Sequence, residues 1–348
     1  MDQTYPDRRA KWFTALVVLA ITLGFAGQAR AANLTEGFDV VPPAGWTVIN
    51  NSTPVGTTSW GQGNSANFAA QAGAPTAYAS ANFHSTTGTN TISTWMITPV
   101  QANLGSGDTW SFWTRTLTGS GFPDRLEFRL STNGSCSPGT GSASVGAFTT
   151  VLTSINPALA GSGYPETWTK FQGTLAGLPG SFSGCFAFRY FVTMGGPTGI
   201  NSNYIGVDSF QYTDVTPPET SIDAGPVEGS TTSDPTPTFG FFSNEAGSTF
   251  ACRVDTDAFA ACSGPGATHT TAPLADGAHT FEVRATDPVG NLDASPASRA
   301  FTVDATPPET TIDSGPVEGS TTSDPTQTFG FFSNEAGSTF ACRVDTDA

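Results

Sequence analysis

Positive charge is scarce in this sequence. Its 348 residues hold 13 Lys or Arg against 29 Asp or Glu, a formal charge of −16 at pH 7. Lysine occurs only at Lys11 and Lys170. Phosphate backbones are held by Lys and Arg, so the balance argues against a nucleic-acid partner. Histidine is rarer still, at His84, His269 and His279. Long runs free of Gly and Pro are also few. With 39 Gly and 25 Pro spread along the chain, a mainly helical protein is excluded. Beyond the first 32 residues no stretch is apolar enough to cross a bilayer.

The exception is N-terminal. Arg8, Arg9 and Lys11 precede the apolar run WFTALVVLAITLGFAG, and Ala29-Arg30-Ala31 supplies a small-x-small cleavage site. Residues 1–32 therefore read as a secretory signal removed after Ala31 or Ala32; an uncleaved anchor is the alternative. The expected localisation is extracellular, secreted or surface-attached, with no membrane span in the mature chain. The five cysteines fit that compartment. Cys136 and Cys185 fall in one region and Cys252 and Cys262 in the next, so these are the expected disulfides.

What is present is turn residues between β-branched and aromatic runs, the pattern of all-β domains. The text from Thr216, TPPETSIDAGPVEGSTTSDP, recurs almost unchanged from Thr306. The repeat period is ninety residues, which suits an immunoglobulin-like sandwich of about seven strands. Phe239 and Phe241, Phe250, Cys252 and Val254, then Phe281, Val283 and Ala285 alternate as strands with one buried face. The second copy breaks off at Ala348, with Cys342 standing where Cys252 stood. A half sandwich leaves a sheet face open. The expectation is a piece of a longer product whose segment 306–348 folds poorly alone.

Residues 33–214 form the other domain. Leu126, Phe128 and Leu130 face one way and Arg125, Glu127 and Arg129 the other; Phe186, Phe188, Tyr190 and Val192 share a face. The segments TEGFDVVPPAGWTVIN, STWMITPV, FWTRT, PDRLEFRLSTNG, YPETWTKF, FAFRYFV and NSNYIGVDSFQY occur in the order seen in choice-of-anchor J domains. Residues 33–214 resemble that family, itself similar to cleaved-adhesin modules. Residues 216–305, and in part 306–348, resemble the bacterial Ig-like repeats of large surface proteins. The resemblance implies a jelly-roll β-sandwich followed by immunoglobulin-like β-sandwich repeats.

A Ser-His-Asp site in the first domain would need His84 as its base, and no GxSxG-type elbow accompanies it. Zinc wants clustered His and Cys, and the cysteines are expected to pair. Glu36, Asp124, Glu127, Glu166 and Asp208 are all conceivable glycosidase acids, with none singled out. The expectation is no catalysis. Calcium suits the carboxylates better. Glu36 and Asp39 open the domain and Asp208 nearly closes it, and in a jelly roll the first and last strands can be neighbours. The resemblance implies a structural Ca2+ at Glu36, Asp39 and Asp208, although Gly37 and Asp39 depart from the Ser and Glu more usual there. The Asp-rich DTD and DPVGNLD of the Ig-like unit are weaker calcium candidates, since Asp, Asn and Gly equally make turns. Trp110 and Trp113 should face opposite ways. The reading is an adhesin-type module binding an extracellular glycan or protein ligand, with Ig-like spacers behind it. GQGNSANF after Trp60 and GGPTGINSNY before Ile205 are the candidate binding loops, with ordinary connections as the equal alternative. The competing readings are an accessory module of a secreted hydrolase and a structural surface protein.

Overall fold

The structure is a computed structural model describing residues 33–178, 182–264 and 266–345. The expected signal segment lies outside the described residues. Among these, the sole helical element is the 3-10 turn Phe83–Ser85, and all else regular is strand. No helix among them is long and apolar enough to cross a membrane.

Residues 34–213 build two facing antiparallel sheets. The first runs Thr169–Thr174, Thr109–Thr116, Tyr204–Thr213, Ala79–Asn82, Gly61–Gln62, with Leu34–Glu36 also pairing Tyr204–Thr213. The second runs Thr150–Ile155, Leu126–Leu130, Phe186–Gly195, Thr86–Ile97, Thr47–Asn50, with Thr53–Val55 also on Thr86–Ile97. The longest strands, Thr86–Ile97, Thr109–Thr116, Phe186–Gly195 and Tyr204–Thr213, alternate between sheets along the chain, the winding of a jelly-roll sandwich. Their inner faces meet in an aromatic core. Phe112 of the first sheet lies 5.1 Å from Phe128 and 5.0 Å from Phe188 of the second, ring centre to ring centre. Phe186, Phe188, Tyr190 and Val192 are all buried there, as their alternation predicts.

The second sheet differs from a simple inside–outside alternation. Glu127 and Arg189 sit on its outer face and are still buried. The chain after Leu130 folds back across that face. Cys136 bonds to Cys185, and Arg189 donates to the Ser142 carbonyl at 2.6 Å. Trp95, Phe148, Cys185 and Ala187 form a small apolar cluster beneath this cover.

Residues 220–303 form a second sandwich. One sheet runs Thr220–Ala224, Thr238–Ser243, Thr268–Thr270. The other runs Thr231–Thr232, Ala297–Val303, Gly277–Thr286, Thr249–Val254, Ala260–Ala261. Phe239, Phe241, Phe281, Val283, Phe301 and Val303 fill the space between. Cys252 bonds to Cys262, as their positions predict. Among the described residues, the partial copy forms a hairpin of Thr310–Ser314 with Gly330–Ser333. Phe239 is fully buried in the complete unit; its counterpart Phe329 is 47% exposed, and Cys342 is free and exposed.

Candidate functional site

A groove of about 370 Å³ lies on the outer face of the first sheet. Three adjacent strands supply it. Thr109 and Ser111 come from the central strand, Lys170, Gln172 and Thr174 from the edge strand, and Gln211 and Thr213 from the last strand. The register explains the convergence, because Ser111 stands opposite both Gln172 and Gln211. Period-2 alternation puts their side chains on one face and sends Trp110 and Phe112 into the core. Trp113 falls on the outer face, half-buried and paired with Lys170. The predicted split of Trp110 from Trp113 is thus observed. Gly173 is required where it is: a Cβ there would lie 2.6 Å from Trp110 Cζ2.

The two expected loops have different fates. GQGNSANF is tied down. The Asn64 amide donates to the hydroxyls of Tyr78 and Tyr204 at 2.9 and 3.0 Å, and Phe68 is buried against Tyr78, Tyr204 and Trp168. GGPTGINSNY contributes Gly196, Pro197, Gly199, Ser202 and Asn203 to a cleft of about 120 Å³ shared with Phe83 and Phe122. Phe122 is 49% exposed. This cleft adjoins the Tyr204 end of the last strand, and the groove its Thr213 end.

Glu36, Asp39 and Asp208 share one region, since Leu34–Glu36 pairs with Tyr204–Thr213. They differ in environment. Glu36 is half-buried and accepts the Phe38 amide at 2.7 Å; Asp39 is exposed. Asp208 is fully buried beneath Gln71 and Ala72, whose amides donate to its Oδ2 at 2.8 and 3.2 Å. Ser209, at a positive φ of 49°, donates its amide to Oδ1 at 2.6 Å. Burial pushes the Asp208 carboxyl up, against the pull of these amides. The oxygens of the three acids do not converge within 4.8 Å of one another.

His84 is exposed, and its ring lies against Phe83. Asp124 is buried in the module, where its carboxylate accepts from Thr116 Oγ1 at 2.6 Å, Tyr190 Oη at 2.5 Å and the Asn203 amide at 2.7 Å. Burial pushes its pKa up, opposed by those hydrogen bonds. Glu127 is held by Arg129 at 2.7 Å and Arg189 at 3.1 Å, a structural charge network.

Residues 216–305 match the family model of a bacterial Ig-like domain. No curated protein matches the chain. Among solved structures, the K1 cleaved adhesin domain of Lys-gingipain from Porphyromonas gingivalis is 20% identical; the match covers 52% of this chain and 98% of that one at a TM-score of 0.35. A xylan-binding domain from Paenibacillus barcinonensis is 17% identical over 53% of this chain and 96% of its own, TM-score 0.28. A family 11 carbohydrate-binding module from Clostridium thermocellum is 13% identical over 51% and 94%, TM-score 0.30.

Proposed function

We propose that residues 33–214 are a choice-of-anchor J-like module that binds an extracellular glycan in the outer groove of its first sheet, without catalysis. The Ig-like unit carries the module at a cell surface or on a secreted chain. The observation that supports this is the convergence of Ser111, Gln172 and Gln211 across three hydrogen-bonded strands. Amides and hydroxyls on rigid strands suit the many hydroxyls of a sugar, and the groove volume falls in the ordinary range of ligand sites, roughly 300–1,000 Å³. The cleft at Phe122 is smaller but offers an exposed ring, which favours it as the second reading. A structural Ca2+ at Glu36, Asp39 and Asp208 belongs to the same proposal; it requires the exposed Asp39 carboxylate to turn toward the Gln71–Gly73 segment that covers Asp208.

A glycan array probed with the full chain tests the binding reading. Gln172→Ala with Gln211→Ala is expected to abolish the signal at unchanged circular dichroism. Binding that survives this pair and is lost in Phe122→Ala moves the site to the cleft. Turnover in a hydrolase screen that vanishes with His84→Ala overturns the non-catalytic reading.

A further inference from the structure

Four carboxylates meet where the first sandwich passes the chain to the second. Asp108 precedes Thr109–Thr116 and Asp214 follows Tyr204–Thr213; Glu245 follows Thr238–Ser243 and Asp287 follows Gly277–Thr286. All four are buried. Asp108 is fully engaged. Its Oδ2 accepts from the Gly105 amide at 2.7 Å and Tyr212 Oη at 2.6 Å, its Oδ1 from the Val215 amide at 3.1 Å and Thr216 Oγ1 at 2.8 Å. Asp287 is oriented by the amides of Val289, Gly290 and Asn291 on Oδ1 and by Asn291 Nδ2 on Oδ2. Asp214 accepts the Thr216 amide at 3.1 Å.

Glu245 differs from the other three. It is 2% exposed, and neither of its carboxylate oxygens has a hydrogen-bond partner. None of the ion pairs among the described residues involves these four acids. A buried carboxylate without partner is among the most costly groups a fold can hold. Yet one oxygen each of Asp214, Glu245 and Asp287 lies within 4.8 Å of the others. Oxygens bound at about 2.4 Å on opposite sides of a calcium ion are about 4.8 Å apart, so all three already fit one coordination shell. The Asp214 and Thr216 carbonyls accept from Asn291 Nδ2 at 3.4 Å, which ties the linker to the turn that holds Asp287.

We infer that this junction is a Ca2+ site, with Asp214, Glu245 and Asp287 as its carboxylate ligands. An all-oxygen set rich in carboxylates suits a hard cation. Ca2+ fits better than Mg2+, which keeps several waters and demands near-ideal octahedral geometry. Zinc would draw on His or Cys. Asp108 adds negative charge beside the ion while its own oxygens stay with the linker. Without a cation, burial together with Asp108 and Asp287 pushes Asp214 up to about 7, and burial together with Asp214, Asp287 and Asp108 pushes Glu245 up to about 7. The ligand from the first sandwich and the two from the second make the ion a clasp between them. Asp304 and Glu335 hold the places of Asp214 and Glu245 in the next repeat, so two of the ligands recur with the unit.

The test uses the full chain, stripped with chelator and titrated with CaCl2 by calorimetry and thermal melting. Glu245→Gln is expected to lose one bound Ca2+ per chain and the associated rise in melting temperature. It is also expected to melt higher than the parent in chelator, because it removes an unpaired buried charge. Asp214→Asn is expected to lose the same bound Ca2+ and its rise in melting temperature if Glu245→Gln does not fold. Asp39→Asn leaves the junction ion bound, which separates it from the module's own proposed calcium. Unchanged calcium stoichiometry in both junction variants overturns the proposal, as does a Glu245→Gln chain that loses stability equally with and without Ca2+.

Discussion

Two histidines of the Ig-like unit show how neighbours set a charge. The ring nitrogens of His279 face two acceptors, the Ala275 carbonyl and the Asp255 carboxylate, each at 2.8 Å. Both nitrogens must carry protons to use them, so the Ala275 carbonyl and then Asp255 push its pKa above the ordinary value. His269 Nδ1 instead accepts the Ser263 amide at 3.0 Å, and burial pushes its pKa down. Proton NMR titration should find His279 titrating above about 6.5 and His269 below it. The sign for stability follows for His279. Its contribution is fully present below the unfolded pKa and is lost as pH rises through the folded one. In the first module the counterpart is Glu127. Burial alone would raise its carboxyl, but the hydrogen bond from Arg129 and the charge of Arg189 hold it below the usual range. Its contribution is present above the unfolded pKa and lost as pH falls through the folded one. Glu127→Ala leaves Arg189 buried without its partner, and urea unfolding should show a loss of about 3–5 kcal/mol. The adjacent Arg129→Ala should cost less, since Glu127 keeps Arg189.

At the scale of strands, the groove depends on one missing side chain. Gly173→Ala places a methyl against the Trp110 ring, and the expected destabilisation is about 1–3 kcal/mol, measured by chemical denaturation. Reduction of Cys136–Cys185, which closes a separation of 49 residues, should cost about 4 kcal/mol in the chain-entropy estimate. The cover over the second sheet should loosen first, seen as faster amide exchange around Ser142. Much of the strand architecture was legible in the sequence, because a period of two marks each buried face. Leu126, Phe128 and Leu130, and Phe186, Phe188 and Tyr190, lie in the core where alternation puts them. The cover was not legible. Residues 131–148 carry little apolar pattern, and only Cys136, Val145 and Phe148 reach the cluster beneath. The groove was hidden for a related reason. Ser111, Gln172 and Gln211 are ordinary outward-facing polar residues until register brings them together. The junction acids lie between strands, where Asp and Asn commonly cap backbone, so DPVGNLD read as a turn first and as a calcium candidate only second. That reading was correct but incomplete, since Asp287 both holds its turn and faces Glu245 and Asp214.

For the whole molecule, the two copies of the repeat make an internal comparison. Phe239 and Phe241 are enclosed in residues 216–305, while their counterparts Phe329 and Phe331 are open. Phe329, Phe331 and Phe340 border an open apolar groove of about 720 Å³. Limited proteolysis of the full chain should therefore cut between residues 306 and 345 well before it cuts the complete unit, and binding of an apolar dye should fall when that segment is removed. Equal protease resistance of the two copies would contradict the difference in burial.

The two ends of the first module touch. Asp214 donates its amide to Asn33 Oδ1 at 3.0 Å, and the strands they adjoin, Leu34–Glu36 and Tyr204–Thr213, are paired neighbours. Start and end of the module therefore lie at one point of its surface, sealed by the short ladder between its first and last strands. The module can thus be carried on a linker at a single attachment point, with neither of its ends crossing the sandwich.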